Sequence, residues 1–346
     1  MKSLKHHPEI ISFLCLLCLA YAAGLFAQGG QATLTGRVTD RSGGVIPNAR
    51  VEVKNTGTNI TLSVETGSAG IYTAPYLPPG TYNVSIEVSG FKKFVREGLE
   101  LNIGQTATVD VVLEVGLQTE QVVVTAETPL LDLAKADRGS LMDRERVAEL
   151  PLNGRNPFML AKLVGGVNFN GQILWERPFD NGAIAMWSIN GGLQSTNEFL
   201  LDGAPNNAQA GSNNIAYVPP VDSVQEFKIQ TNSFDAQYGK TSGGIVNVSL
   251  KSGTNSLHGS LYEFARRTAW DANSFQNNAN GLPKDEHYLD QFGGQLDGPV
   301  YIPGIYDGRN KTFFFSLTST TAKGRRAPPP CQPRRLNSCK ATSASW

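Results

Sequence analysis

Tyr82, Val84, Ile86 and Val88 alternate with Asn83, Ser85, Glu87 and Ser89, and a period of two puts one apolar and one polar face on an extended strand. The same alternation recurs in Val51 and Val53 against Glu52 and Lys54, and in Val109, Val111 and Leu113 against Asp110 and Glu114. Turn-forming clusters at Arg41–Gly44, Gly67–Gly70 and Pro78–Gly80 separate the runs. Short half-buried strands at this spacing predict a small β-sandwich over residues 32–116. No helical period competes with them.

The pattern changes further along the chain. Asp143–Leu150 predicts a short helix capped by Asp143 and stopped by Pro151. A second helix is expected from Asn156, with Pro157 in its first turn, Phe158, Leu160 and Leu163 buried, and Gly165–Gly166 at its end. Glu198–Leu201 reads as a strand turning at Asp202–Gly203, Val221, Val224 and Phe227 have the spacing of one helical face, and Ile245–Leu250 reads as a strand after Gly243–Gly244. This is a mixed α+β unit, over residues 128–252. From 253 to 322 three alternating segments follow, Leu257–Arg267, Tyr288–Pro299 and Lys311–Thr320. Tyr262 with Phe264, then Tyr288 with Phe292 and Leu296, then Phe313 with Phe315 and Leu317, give each an aromatic-rich face. Segments of roughly ten residues with one such face are the pattern of transmembrane β-strands.

Charge and chemistry narrow the function. Lys plus Arg and Asp plus Glu number 30 each, so no net charge steers the chain to nucleic acid. The sandwich segment has no His, Cys or HxxE and hence no zinc site. Gly239-Lys240-Thr241 ends like a phosphate-binding loop, but Phe234 stands where its first glycine belongs. His258 and His287 are isolated, and no cofactor and no catalytic site is expected. Residues 1–27 join Lys2 and Lys5 to an apolar run from Ile10 to Ala23 and read as a secretory signal peptide cut after Ala27. A cut after Gly24 and a single-pass anchor are the alternatives. Cys15 and Cys18 fall in that run as small apolar residues, and Cys331 and Cys339 are placed to pair in an oxidising compartment.

LTGRVTDRSGGVIPNARVEV, GIYTAPYLPPGTYNVSIEVSGF and VDVVLEV resemble the carboxypeptidase-regulatory-like domain, a transthyretin-like sandwich that is non-catalytic in peptidases. LPLNGRNPFMLAKLVGGV and the stretch Ser188–Asn255 resemble the plug of TonB-dependent outer-membrane receptors, and HGSLYEFARR, LDQFGGQLDGPV and GRNKTFFFS resemble the opening barrel strands of the Oar-like subgroup. The resemblance implies a multidomain, β-rich chain in the cell outer membrane: a transthyretin-like β-sandwich, then an α+β plug domain, then the first strands of an incomplete transmembrane β-barrel. It also implies energy-coupled uptake of a ligand, with TonB and outer-membrane lipid as partners.

Residues 117–127, GLQTEQVVVTAE with its preceding Gly116, resemble the TonB box. Val122, Val123, Val124 and Thr125 favour extended backbone, and main-chain hydrogen bonding to a partner's edge strand needs no particular side chains. A last sandwich strand or a buried linker is the other reading. Outer loops at Gln172–Asn181 and Ala204–Asn214 supply Trp175, Asn206, Asn207 and, just beyond, Tyr217, as candidates for stacking on and hydrogen-bonding a glycan or peptide. Residues 323–346 carry six Lys or Arg, no acid and Pro328–Pro330. That break from the family pattern is expected to reflect a frameshift or truncation after Leu317, since family barrels close with about 22 strands; a short protein with a basic tail is the alternative. The rival class is a secreted or periplasmic binding or adhesion protein that transports nothing; an accessory domain of a metallopeptidase would need zinc ligands.

Overall fold

The alternating runs at the N-terminal end become strands where their apolar faces can meet. The computed structural model describes residues 30–117, 121–125, 138–150, 152–170, 186–208, 215–232, 238, 241–284 and 286–325. The signal-peptide reading, all four cysteines, Trp175, Phe234 and the Gly239–Lys240 pair lie outside the described residues.

In the first sheet, β1 (Ala32–Asp40) pairs antiparallel with β4 (Ile71–Leu77) and parallel with β7 (Thr106–Thr108) and β8 (Val111–Leu113). The second sheet runs β3 (Thr61–Glu65), β2 (Arg50–Asn55), β5 (Gly80–Glu87), β6 (Lys93–Leu101), β9 (Gln121–Thr125). Val51, Val53, Tyr82, Val84 and Ile86 bury between them with Leu34, Tyr72 and Leu113, as two inner faces of a sandwich require. The Tyr72 hydroxyl meets the Val109 carbonyl at 2.9 Å. In the Arg41–Gly44 turn, Asp40 Oδ1 accepts from the Ser42 and Gly44 N–H groups at 2.8 Å each.

The plug sheet has the order β10 (Arg138–Met142), β15 (Val224–Asn232), β16 (Ile245–Leu250), β13 (Glu198–Leu201), β14 (Ala204–Pro205). A separate pair joins β11 (Val167–Phe169) to β12 (Trp187–Ile189). Asp202 (φ 49°) and Gly203 (φ 77°) make the β13–β14 turn, with both residues left-handed as that turn demands. The helix α1 (Arg144–Glu149) begins where the Asp143 side chain accepts from the Arg146 N–H, and its C-cap is Leu150.

Two helical expectations give way. Pro157–Leu163 is a 3₁₀ helix capped by Asn156. Phe158, Leu160 and Ala161 are buried as the helix packs, but the last helical residue, Leu163, stands 62% exposed, and the chain leaves the helix at Val164, which is extended and buried. Val221–Ser223 is one 3₁₀ turn, and Val224 and Phe227 belong to β15. A bulge between Val224 and Glu226 adds a residue, and so brings side chains three apart to the same core without a helix.

The third unit is an antiparallel sheet of β17 (His258–Arg267), β18 (His287–Pro299) and β21 (Phe313–Arg325). The connection from β17 carries α2 (Phe275–Ala279), and the one from β18 carries the small hairpin β19 (Tyr301–Ile302) and β20 (Tyr306–Asp307). Pairing of β18 with β21 runs to His287↔Arg325, so the strand passes through the expected 322/323 boundary. Leu261, Phe264, Tyr288, Phe292 and Leu296 are exposed on this sheet. Among the described residues no helix is long and apolar enough to cross a membrane.

Candidate functional site

The linker segment is folded onto the sandwich. Its strand β9 pairs parallel with β6 in the register Lys93↔Gln121 through Glu97↔Thr125, so Val122, Val123, Val124 and Thr125 form the outermost strand of the five-stranded sheet. Val123 is 47% and Val124 40% exposed, whereas Val122 is half-buried. One edge of the strand bonds to β6; among the described residues the other is the sheet's edge, and exposed β-branched side chains there are what proteins otherwise avoid.

The plug packs Phe158, Phe199 and Phe227 edge to face at centroid distances of 5.8 and 5.9 Å, an arrangement the ring quadrupole favours. Asn197, fully buried, donates to the Trp187 carbonyl at 2.7 Å and accepts from the Gly244 N–H at 3.0 Å. Its side chain occupies the space a Cβ at Gly243 would need, and the Ile189 side chain occupies the space a Cβ at Gly244 would need, which is why a glycine pair precedes β16.

The opposite face of the same sheet is buried and carries polar groups beside Leu200 and Ile245. It includes Glu198, Glu226, Gln230, Asn247 and Ser249. Glu226 accepts a hydrogen bond from the Ile103 N–H of the sandwich, and loss of solvent there pushes its carboxyl up to about 7, against the opposing pull of the Ile103 N–H and of Lys228. Burial likewise raises Asp202, whose carboxylate accepts from the Leu250 N–H at 2.8 Å.

A third contact joins plug to barrel strands. The turn Asn153–Arg155 has two left-handed residues, Gly154 (φ 78°) and Arg155 (φ 54°). It projects the Arg155 guanidinium over the Phe264 ring at 3.7 Å and the Tyr262 ring at 5.4 Å. The same group meets Asp222 Oδ2 at 2.8 Å, and the Gly154 carbonyl accepts from Gln291 Nε2 at 3.3 Å.

The candidate ligand residues part company. The Asn206 amide clips the backbone of Tyr217, donating to its carbonyl at 2.8 Å and accepting from its N–H at 3.0 Å. Asn207 accepts from the Phe199 N–H at 3.0 Å and donates to the Asn197 carbonyl at 3.3 Å. These amides are committed to holding the loop; Tyr217 is 54% exposed. His258 lies 3.5 Å from Asp297 and His287 2.7 Å from Asp271. No group of three metal-ligating side chains occurs among the described residues.

Sequence reasoning did not single out Glu226 or Arg155. The acid sits in a strand that read as a helix face, and Arg155 finds its aromatic partners more than 100 positions away. The signal available for Arg155 was the glycine turn in LNGRNP, which fixes a side chain in space.

Residues 33–114 match the carboxypeptidase regulatory-like domain, and residues 249–328 match an outer membrane beta barrel domain. A regulatory-like sandwich ahead of an α+β unit and outer-membrane barrel strands is the order of an outer-membrane protein, and it is similar to that of TonB-dependent receptors. The chain is 28% identical over 315 residues to the TonB-dependent transporter Oar of Myxococcus xanthus, across 86% of its own length and 27% of that relative. It thus spans about a quarter of the relative it matches. Among solved structures, the siderophore receptor PirA of Acinetobacter baumannii is 21% identical over 49% of this chain and 23% of its own, with a TM-score of 0.34. A hydroxyquinol 1,2-dioxygenase of Pseudomonas putida is 13% identical over 26% of this chain and 58% of its own, at 0.21. Neither structural likeness is strong enough to bear on function.

Proposed function

We propose that this chain forms the energy-coupling end of an outer-membrane receptor that imports a ligand through TonB, and that β9 is the strand TonB pairs with. The observation that carries the reading is an edge strand with two exposed valines at the junction between a regulatory-like module and a plug. The domain division follows: signal peptide to 27, sandwich 32–116, linker 117–127, plug 128–252 and barrel strands from 253. The ligand is a glycan or peptide that stacks on Trp175 and Tyr217, with no covalent chemistry.

Neighbouring residues of a strand direct their backbone groups to opposite edges. Of Val122→Pro and Val123→Pro, one strips a donor from the β6 side and the other from the outer side. Binding of the periplasmic domain of TonB to the full chain in detergent micelles is expected to fall at least tenfold in the outer-edge variant, with the sandwich still folded. Binding unchanged in both variants removes the assignment. Membrane fractionation separates the rival class: urea-resistant recovery in the outer membrane supports the receptor, and soluble periplasmic recovery supports a non-transporting binding protein.

A further inference from the structure

The sandwich touches the rest of the molecule at both plug and barrel. Ile103, 1% exposed and part of neither hydrophobic core, gives its N–H to Glu226 on β15. Beside it, Gly30 backs onto the β13–β14 turn, where a Cβ would lie 3.0 Å from the Gly203 nitrogen and 3.2 Å from Asn247 Nδ2. At the second place, the Asn255 N–H donates to the Gly57 carbonyl at 3.0 Å. Asn59 Nδ2 and Asn255 Nδ2 both donate to Asn310 Oδ1, at 3.0 and 2.8 Å. Asn255 leads into β17 and Asn310 lies in the connection before β21.

We propose that the sandwich is a detachable latch, closed on the plug by the Ile103–Glu226 contact and on the barrel strands by the Asn59–Asn310–Asn255 junction, through which a pull on β9 reaches the plug. Only the source of the pull rests on the reading of β9 as the TonB strand; the latch is defined without a partner. Glu226 makes it sensitive to protons. A neutral carboxyl tolerates burial under the Ile103 loop, and a carboxylate there must give up water for one N–H donor. Lys228, on the same strand, is the charged side chain that acts on it. Ser249 stands opposite on β16, and the covering loop Asn102–Gln105 brings no titratable side chain. Asp202 at the neighbouring contact turns its carboxylate to the Leu250 N–H.

The docked state holds its proton up to about pH 7, whereas a released Glu226 returns to its ordinary value of 4.5. Docking is therefore tightest below pH 4.5 and weakens as pH rises through 7.

The test is hydrogen exchange of the Ile103 amide in the full chain in detergent micelles, corrected for the intrinsic pH dependence. Protection is expected to fall on the order of fiftyfold between about pH 5 and pH 8. Glu226→Gln keeps the acceptor and removes the titration, so its protection stays high and flat. Asn310→Ala lowers Ile103 protection at both pH values if the two contacts act together. Amides of Ile229 and Val248, protected throughout, report an intact plug. Equal wild-type protection at the two pH values, or the same fall in Glu226→Gln, overturns the proton-sensitive latch, and an unchanged Asn310→Ala removes the barrel junction from it. No partner is present, so these failures are distinct from failure of β9 to bind TonB.

Discussion

Arg155 couples the plug to the first barrel strands, and a double-mutant cycle with Phe264 measures how strongly. The guanidinium lies 3.7 Å from the Phe264 centroid while bonded to Asp222 at 2.8 Å. The side chains of Arg155 and Asp222 are 19% and 25% exposed, so solvent screens the pair only in part. Arg155→Lys keeps the charge for Asp222 but loses the flat group that stacks on the ring; a cost of about 1–2 kcal/mol is expected. Arg155→Gln also strands Asp222 and costs about 2–3 kcal/mol. Phe264→Leu keeps an apolar side chain, though a smaller one, and deletes the π face. The cycle of Arg155→Lys with Phe264→Leu, read from urea unfolding of the chain in micelles, gives a coupling energy of about 1 kcal/mol. Coupling of less than about 0.3 kcal/mol, the ordinary scatter for independent sites, refutes the idea that this stacked contact seats the plug.

Other expectations are simpler to check. Phe227→Ala, at a fully buried ring that packs on Phe158, should lower stability by about 3–5 kcal/mol in the same urea assay. Asp143→Ala removes the side-chain cap of α1 and should cost about 1 kcal/mol, with Asn at this position restoring most of it. Asn206→Ala should destabilise the plug by about 1–3 kcal/mol, because it orphans both backbone groups of Tyr217. Tyr217→Ala, at an exposed ring, should leave the urea midpoint within about 0.5 kcal/mol of wild type.

The amino-acid sequence by itself determined the sandwich. Alternation such as Tyr82–Ser89 leaves one way to hide the apolar face, and turn residues at fixed intervals set where each strand ends. It also determined the Asp143 cap, the Asp202–Gly203 turn and the three aromatic-faced strands, all of which depend on neighbours a few positions away. Tertiary structure decided what depends on distant partners. The bulge in β15 turned an apparent helical face into a strand, because pairing with β16 outweighs local spacing. Packing under Phe199 and Phe227 selected a 3₁₀ helix and exposed Leu163. The burial of Glu226 beneath Ile103 and the stacking of Arg155 on Phe264 join residues more than 100 positions apart, and no local pattern encodes such contacts. The linker shows the division in five residues: Gln121–Thr125 had to be extended, but only the free edge of β6 decided that it lies on the sandwich.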